Sequence, residues 1–190
     1  FISFSFYGIC RSFFSEIPIE SLTNEGSVFY FRYIFFAMGV WYLLDTNPHL
    51  SKCLLVTSIL CVITVCIDGL YQFLVGVNIF GTKYYSVDRI SGLFGDEPIL
   101  GRYISYMSIF SFALIYINFQ KTKKTMIFSI SFLAISEVMV FLSGERAPLL
   151  NMALFAILIL IFIPQYRIYR IVGILFSVFM ILITIQNKPH

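Results

Sequence analysis

The chain has 190 residues, 59% of them hydrophobic and 12% charged, with a mean hydropathy of +0.89 and a net charge of +3. A water-soluble domain carries about twice that charged fraction, so the composition excludes an ordinary soluble enzyme and lends nothing to nucleic-acid binding. Long apolar runs with few charges predict instead an all-α, polytopic transmembrane bundle, because backbone groups in lipid must be satisfied within each helix.

Taken in chain order, the sequence opens on Phe1 with no signal-peptide pattern, which reads as an internal piece of a larger membrane protein. Residues 1–14 read as the tail of an earlier span, and the polar stretch 16–26 leads into a first apolar segment at roughly 27–44. Further segments follow at roughly 53–75, 99–119 and 125–142. The last apolar stretch, 149–185, is too long for one crossing and is broken at Pro164, which predicts two helices at about 149–164 and 169–185. The expectation is therefore about six spans within a single domain over residues 1–190. Cys53, Cys61 and Cys66 share one apolar run, Cys10 stands apart, and no C-x-x-C pair occurs, so no disulfide or metal site is expected.

Six spans create two alternating sides. One holds the short loops with His49 and Lys52, with Lys121, Lys123 and Lys124, and with Arg167 and Arg170. The other holds residues 15–26, the long polar island 76–98, the turn 143–148 and the C-terminal end with Lys188 and His190. Basic residues in short loops mark the cytoplasmic side. The island and the turn are therefore expected at the extracytoplasmic mouth.

The island, Lys83-Tyr84-Tyr85-Ser86-Val87-Asp88-Arg89-Ile90-Ser91-Gly92-Leu93-Phe94-Gly95-Asp96-Glu97-Pro98, and the turn Ser143-Gly144-Glu145-Arg146-Ala147-Pro148 carry the chemistry. Arg89 and Arg146 present planar, permanently charged forks that suit phosphate oxygens. Each has a bland alternative: a salt bridge to Asp88 or Asp96 for the first and to Glu145 for the second, or snorkelling to lipid phosphates. Arg102, at the start of the next helix, is a further candidate. Gly92 allows close backbone approach to a ligand or simply a turn. Asp96-Glu97-Pro98 reads as the start of a helix with acidic residues near its N-terminus and proline in its first turn. Asp68 and Gln72 lie one turn apart near the outer end of their span, and Glu137 lies inside another. Ionisable groups at membrane depth are functional candidates, and Asp68 or Glu137 alternatively orients an arginine from behind.

Three stretches resemble the O-antigen ligase and O-antigen polymerase family of bacterial membrane glycosyltransferases. They are Asp68-Gly69-Leu70-Tyr71-Gln72, the run from Asp88-Arg89 through Gly92-Leu93-Phe94 to Gly101, and Leu142-Ser143-Gly144-Glu145-Arg146-Ala147-Pro148. Two positions depart from the family pattern: Glu145 replaces a small polar residue, and Pro98 stands where asparagine is common. The resemblance implies a C-type glycosyltransferase fold in the bacterial inner membrane with its active face periplasmic. It implies transfer of a glycan from an undecaprenyl-diphosphate carrier to lipid A core (ligase) or to a carrier-linked glycan (polymerase), without metal or cofactor. Arg89 and Arg146 match the arginines that hold the diphosphate. Asp68, Gln72, Gly92, Asp96 and Arg102 would line the substrate. The family's large periplasmic loop, with its histidine base, would follow the last span. Two other classes fit the residues as well: a transporter for a polyisoprenoid or polysaccharide, and a structural or assembly subunit.

Overall fold

The computed structural model describes Tyr7, Cys10 and residues 31–83, 89–95, 97–120 and 122–186. Six helices fall near the six apolar segments: α1 (Phe31–Thr46), α2 (Pro48–Val75), α3 (Leu100–Asn118), α4 (Lys123–Leu142), α5 (Arg146–Phe162) and α6 (Arg167–Gln186). Two 3-10 turns, Gly92–Phe94 and Pro164–Tyr166, complete the described elements. The described residues are helical apart from connecting loops, in keeping with the all-α expectation.

Four of these helical stretches are long and apolar enough to cross a membrane: His49–Val75, Leu100–Asn118, Lys123–Leu142 and Pro164–Ile183. The stretches Ile34–Thr46 and Arg146–Phe162 are apolar but shorter. Among the described residues four stretches thus have the length of a span, so the expectation of about six is met only in part. At about 1.5 Å per residue the 17 residues of α5 reach roughly 26 Å, against a hydrocarbon core of about 30 Å. Pro164 stops α5 at one end because it has no N–H to donate, and the turn at Gly144 (φ 73°) bounds it at the other.

The chain divides into two compact units, residues 1–51 and 52–190. In the first, α1 carries large exposed side chains, among them Phe35, Phe36 and Trp41. In the second, α4 packs against α3, α5 and α6. Its core joins Val62 and Val65 of α2, Leu100, Ile104 and Phe112 of α3, Leu133 and Val140 of α4, and Met152 and Ile159 of α5.

This unit is built inside-out. Ser105, Ser108 and Ser111 recur along one buried face of α3, while Leu60, Ile67, Phe110, Ile117, Ile135 and Leu154 are exposed. Small polar residues let membrane helices approach closely and bond across the gap. Ser111 Oγ donates to Ser58 Oγ at 2.9 Å, linking α3 to α2, and Asn151 Nδ2 donates to Ser105 Oγ at 2.8 Å, linking α5 to α3. Exposed aliphatic and aromatic side chains on such a bundle are what lipid tails would cover. The protein is a membrane protein on this evidence.

Several residues assigned to loops belong to helices. Pro48 starts α2, which takes His49 and Lys52 into its first turns. Lys123 and Lys124 open α4 behind Thr122, whose Oγ1 accepts the Thr125 N–H at 3.3 Å. Arg167 and Arg170 open α6. A basic residue near a helix start is compatible with either assignment, and only the continuing backbone bonds decide. Pro98 is likewise not in the first turn of α3: it precedes the N-cap Ile99.

Candidate functional site

One end of the 52–190 unit gathers the end of α2, the loop after it, the start of α3 and the α4–α5 turn. Gly69 of α2 faces Leu100 and Met139, and Gly101 of α3 faces Ser143 and Glu145. The start of α3 thus packs against Gly92 of the island and against the arginine turn, at one end of the bundle.

The loop after α2 is tied down by three buried polar side chains. Gly76 (φ 88°) turns the chain, and residues 78–82 close a small loop in which Asn78 N donates to Thr82 O at 2.9 Å, with Val77 and Lys83 bridged antiparallel beside it. Asn78 Oδ1 accepts the Phe80 and Thr82 N–H groups at 3.0 and 2.7 Å, and its Nδ2 donates to Gly92 O at 2.7 Å. Asp68 Oδ1 accepts the Ile79 N–H at 2.9 Å. Gln72 Oε1 accepts the N–H groups of Ser91 and Gly92 at 3.0 and 2.7 Å, while its Nε2 donates to Thr82 O and Lys83 O at 3.3 and 3.4 Å. Asp68 and Gln72 are 0% exposed. Both candidates bond the loop backbone, and Asp68 Oδ2 is buried without a hydrogen-bond partner.

Gly92 is also buried. Its φ of +56° is a left-handed conformation that favours glycine, and an added Cβ would run into Leu100 and lie 3.1 Å from Asp68 Oδ2. Asp96, like residues 84–88, lies outside the described residues, so the suggested pairing of Arg89 with Asp88 or Asp96 does too.

The second limb of the site is the turn between α4 and α5. Ser143 is buried, and its Oγ donates to Val140 O at 2.7 Å. Glu145 points its carboxylate at the first turn of α3: Oε1 accepts the Gly101 N–H at 2.6 Å and approaches the Arg102 N–H at 3.4 Å. The start of a helix carries unsatisfied N–H groups and a partial positive charge, so a carboxylate is stabilised there. The acid that serves α3 therefore comes from the α4–α5 turn.

Arg89 on the loop, Arg102 in the first turn of α3 and Arg146 as the first residue of α5 are all exposed. Among the described residues the sole ion pair is Arg170 with Glu137, deep between α6 and α4. Glu137 therefore does not stand behind Arg146; it holds Arg170, and its second oxygen accepts the Ser177 hydroxyl at 3.1 Å. Beside Arg102, a small cleft of about 70 Å³ is lined by Ser105, Tyr106, Ala147, Pro148 and Asn151. Among the described residues no cluster of histidine, cysteine and carboxylate side chains could hold a metal ion.

Chemically, this end of the bundle offers exposed guanidinium groups on a backbone fixed from beneath, an arrangement suited to an anion with several oxygens. Sequence reasoning missed Asn78 and the cap made by Glu145. Asn78 had a readable signal, since asparagine in the segment Gly76-Val77-Asn78-Ile79-Phe80-Gly81 is a frequent bonder of its own loop. No protein-family model, no curated protein and no solved structure matches this chain.

Proposed function

We propose that this chain belongs to a membrane glycosyltransferase of the O-antigen ligase kind, which moves a glycan from an undecaprenyl-diphosphate carrier to lipid A core at the periplasmic face of a bacterial inner membrane. The observation that carries the proposal is the exposure of Arg89 and Arg146. Both are exposed at one end of the bundle and neither has a carboxylate on it among the described residues, while Glu145, the acid adjoining Arg146, bonds the start of α3. Two fixed positive charges at a membrane surface suit a lipid diphosphate better than a neutral ligand.

In the reaction, an acceptor hydroxyl oxygen attacks the anomeric carbon, the bond from that carbon to the diphosphate oxygen breaks, and the electron pair leaves with the lipid diphosphate. Arg89 and Arg146 stabilise the charge that develops on the leaving oxygens, in a site of reduced dielectric. The acceptor proton passes to a base that the described residues do not identify.

The test expresses the full reading frame in a bacterium lacking its own ligase and follows surface lipopolysaccharide on gels. Restored glycan on lipid A core is expected, with a loss of about 100-fold or more in transfer for Arg89→Ala or Arg146→Ala at equal protein level. Carrier-linked glycan that lengthens without reaching the core would assign the polymerase reaction instead. Unchanged transfer in both mutants would end the proposal.

A further inference from the structure

We infer that Gln72 is the positioning residue for Arg89: one buried carboxamide holds both limbs of the loop that carries this arginine. The inference rests on the glycosyl-transfer reading for its functional consequence, but not for its geometry.

The two limbs present opposite polarity to α2. The returning limb offers N–H groups, from Ser91 and Gly92, and the outgoing limb offers carbonyls, from Thr82 and Lys83. A carboxamide both accepts and donates, so glutamine satisfies the two limbs at once, whereas a carboxylate only accepts and an ammonium only donates. The amide orientation follows from this network, with the oxygen on the N–H side and the nitrogen on the carbonyl side. The bonds to the returning limb are the shorter ones, at 3.0 and 2.7 Å against 3.3 and 3.4 Å. Arg89 lies two residues before Ser91, on that more tightly held limb.

The anchor point is fixed on every side. Gly92 gives its N–H to Gln72 and its carbonyl to Asn78 Nδ2, and its left-handed backbone leaves no room for a side chain against Leu100 and Asp68. Gln72 is 0% exposed, so water does not compete for these bonds. Arginine has several rotatable bonds, and only a fixed backbone holds its fork within the tolerance that charge stabilisation requires. Gln72 meets that need without touching substrate.

Two substitutions separate the elements of the clamp. Gln72→Leu removes all its bonds; Gln72→Glu keeps the acceptor for Ser91 and Gly92 but sets a carboxylate against the carbonyls of Thr82 and Lys83. Amide hydrogen exchange on the full-length protein in lipid nanodiscs reads the geometry. Gln72→Leu is expected to speed exchange at Ser91 and Gly92 at least tenfold while amides within α3 and α4 keep their protection, and Gln72→Glu to speed it less. Glycan transfer reads the consequence: Gln72→Leu is expected to lower it at least tenfold, and to lower it no further when Arg89→Ala is already present. A side chain that merely stabilised the fold would add its loss to that of Arg89→Ala. Unchanged exchange at Ser91 and Gly92 would overturn the clamp. Faster exchange with undiminished transfer, or an additive loss, would overturn its role in positioning Arg89. Absence of transfer by the wild-type protein would strike the glycosyltransferase reading instead, and exchange would still decide whether Gln72 fixes the loop.

Discussion

Arg170 lies inside the bundle, 0% exposed, with its guanidinium on Glu137, whereas Arg89, Arg102 and Arg146 stand exposed at one end with no carboxylate on them among the described residues. The same side chain thus occupies two electrostatic situations in one protein. Within the bundle the partner is internal, and the pair also receives the Ser177 hydroxyl. At the end, two acids among the described residues face backbone: Asp68 accepts from Ile79 and Glu145 from Gly101. The comparison teaches that availability depends on where the neighbouring carboxylate makes its own bonds. Adjacency in sequence, as between Glu145 and Arg146, does not establish a pair.

The sharpest way to break this contrast is Glu137→Ala. It strands Arg170 in a buried site and should cost about 3–5 kcal/mol, read as lower unfolding temperature in detergent and less protein in the membrane. The double change Glu137→Leu with Arg170→Met should recover most of that loss, since removing both charges leaves none uncompensated. A Glu137→Ala protein as stable as wild type would mean that the pair contributes nothing.

Next in size is Gly101→Ala. Its Cβ would collide with Ser143 Oγ and sit 3.0 Å from Glu145 Oε1, forcing α3 away from the α4–α5 turn. A loss of about 1–3 kcal/mol is expected from such overpacking, with transfer falling as the two arginine limbs separate. Glu145→Ala removes only the acceptor at the start of α3 and should cost about 1 kcal/mol, measured by chemical unfolding, while Glu145→Gln keeps an acceptor and should lose less. The smallest effect on stability is expected for Arg146→Ala, whose unfolding midpoint should match wild type even as transfer fails. A clear drop in that midpoint would mean that Arg146 is a structural residue, like Arg170.

The helices were legible because each is an apolar run bounded by proline, glycine or a cluster of charge. The expected 125–142 became Lys123–Leu142, and 169–185 became Arg167–Gln186. Their side-chain partners were less legible. Glu137 meets Arg170 from 33 residues away, and Glu145 reaches Gly101 from 44 residues away. No local period or cap signal encodes contacts of that separation. Asp68 and Gln72 were found because polar groups at membrane depth are conspicuous, but their contacts with the loop backbone depended on how residues 76–92 fold back. The positions of Arg89 and Arg146 at one end followed from alternating spans, and their exposure required the structure.

The buried pair has a consequence for how the protein is made. Glu137 precedes Arg170 in the chain, so a ribosome feeding helices into the bilayer releases α4 before α6. A lone arginine within a spanning helix is costly to insert. Here the counter-charge is already in the lipid when Arg170 arrives, and Gly173 allows α6 close against α4, where an added Cβ would lie 2.6 Å from Ile130 Cγ2. The order of synthesis thereby lets α4 serve as the template on which α6 is inserted.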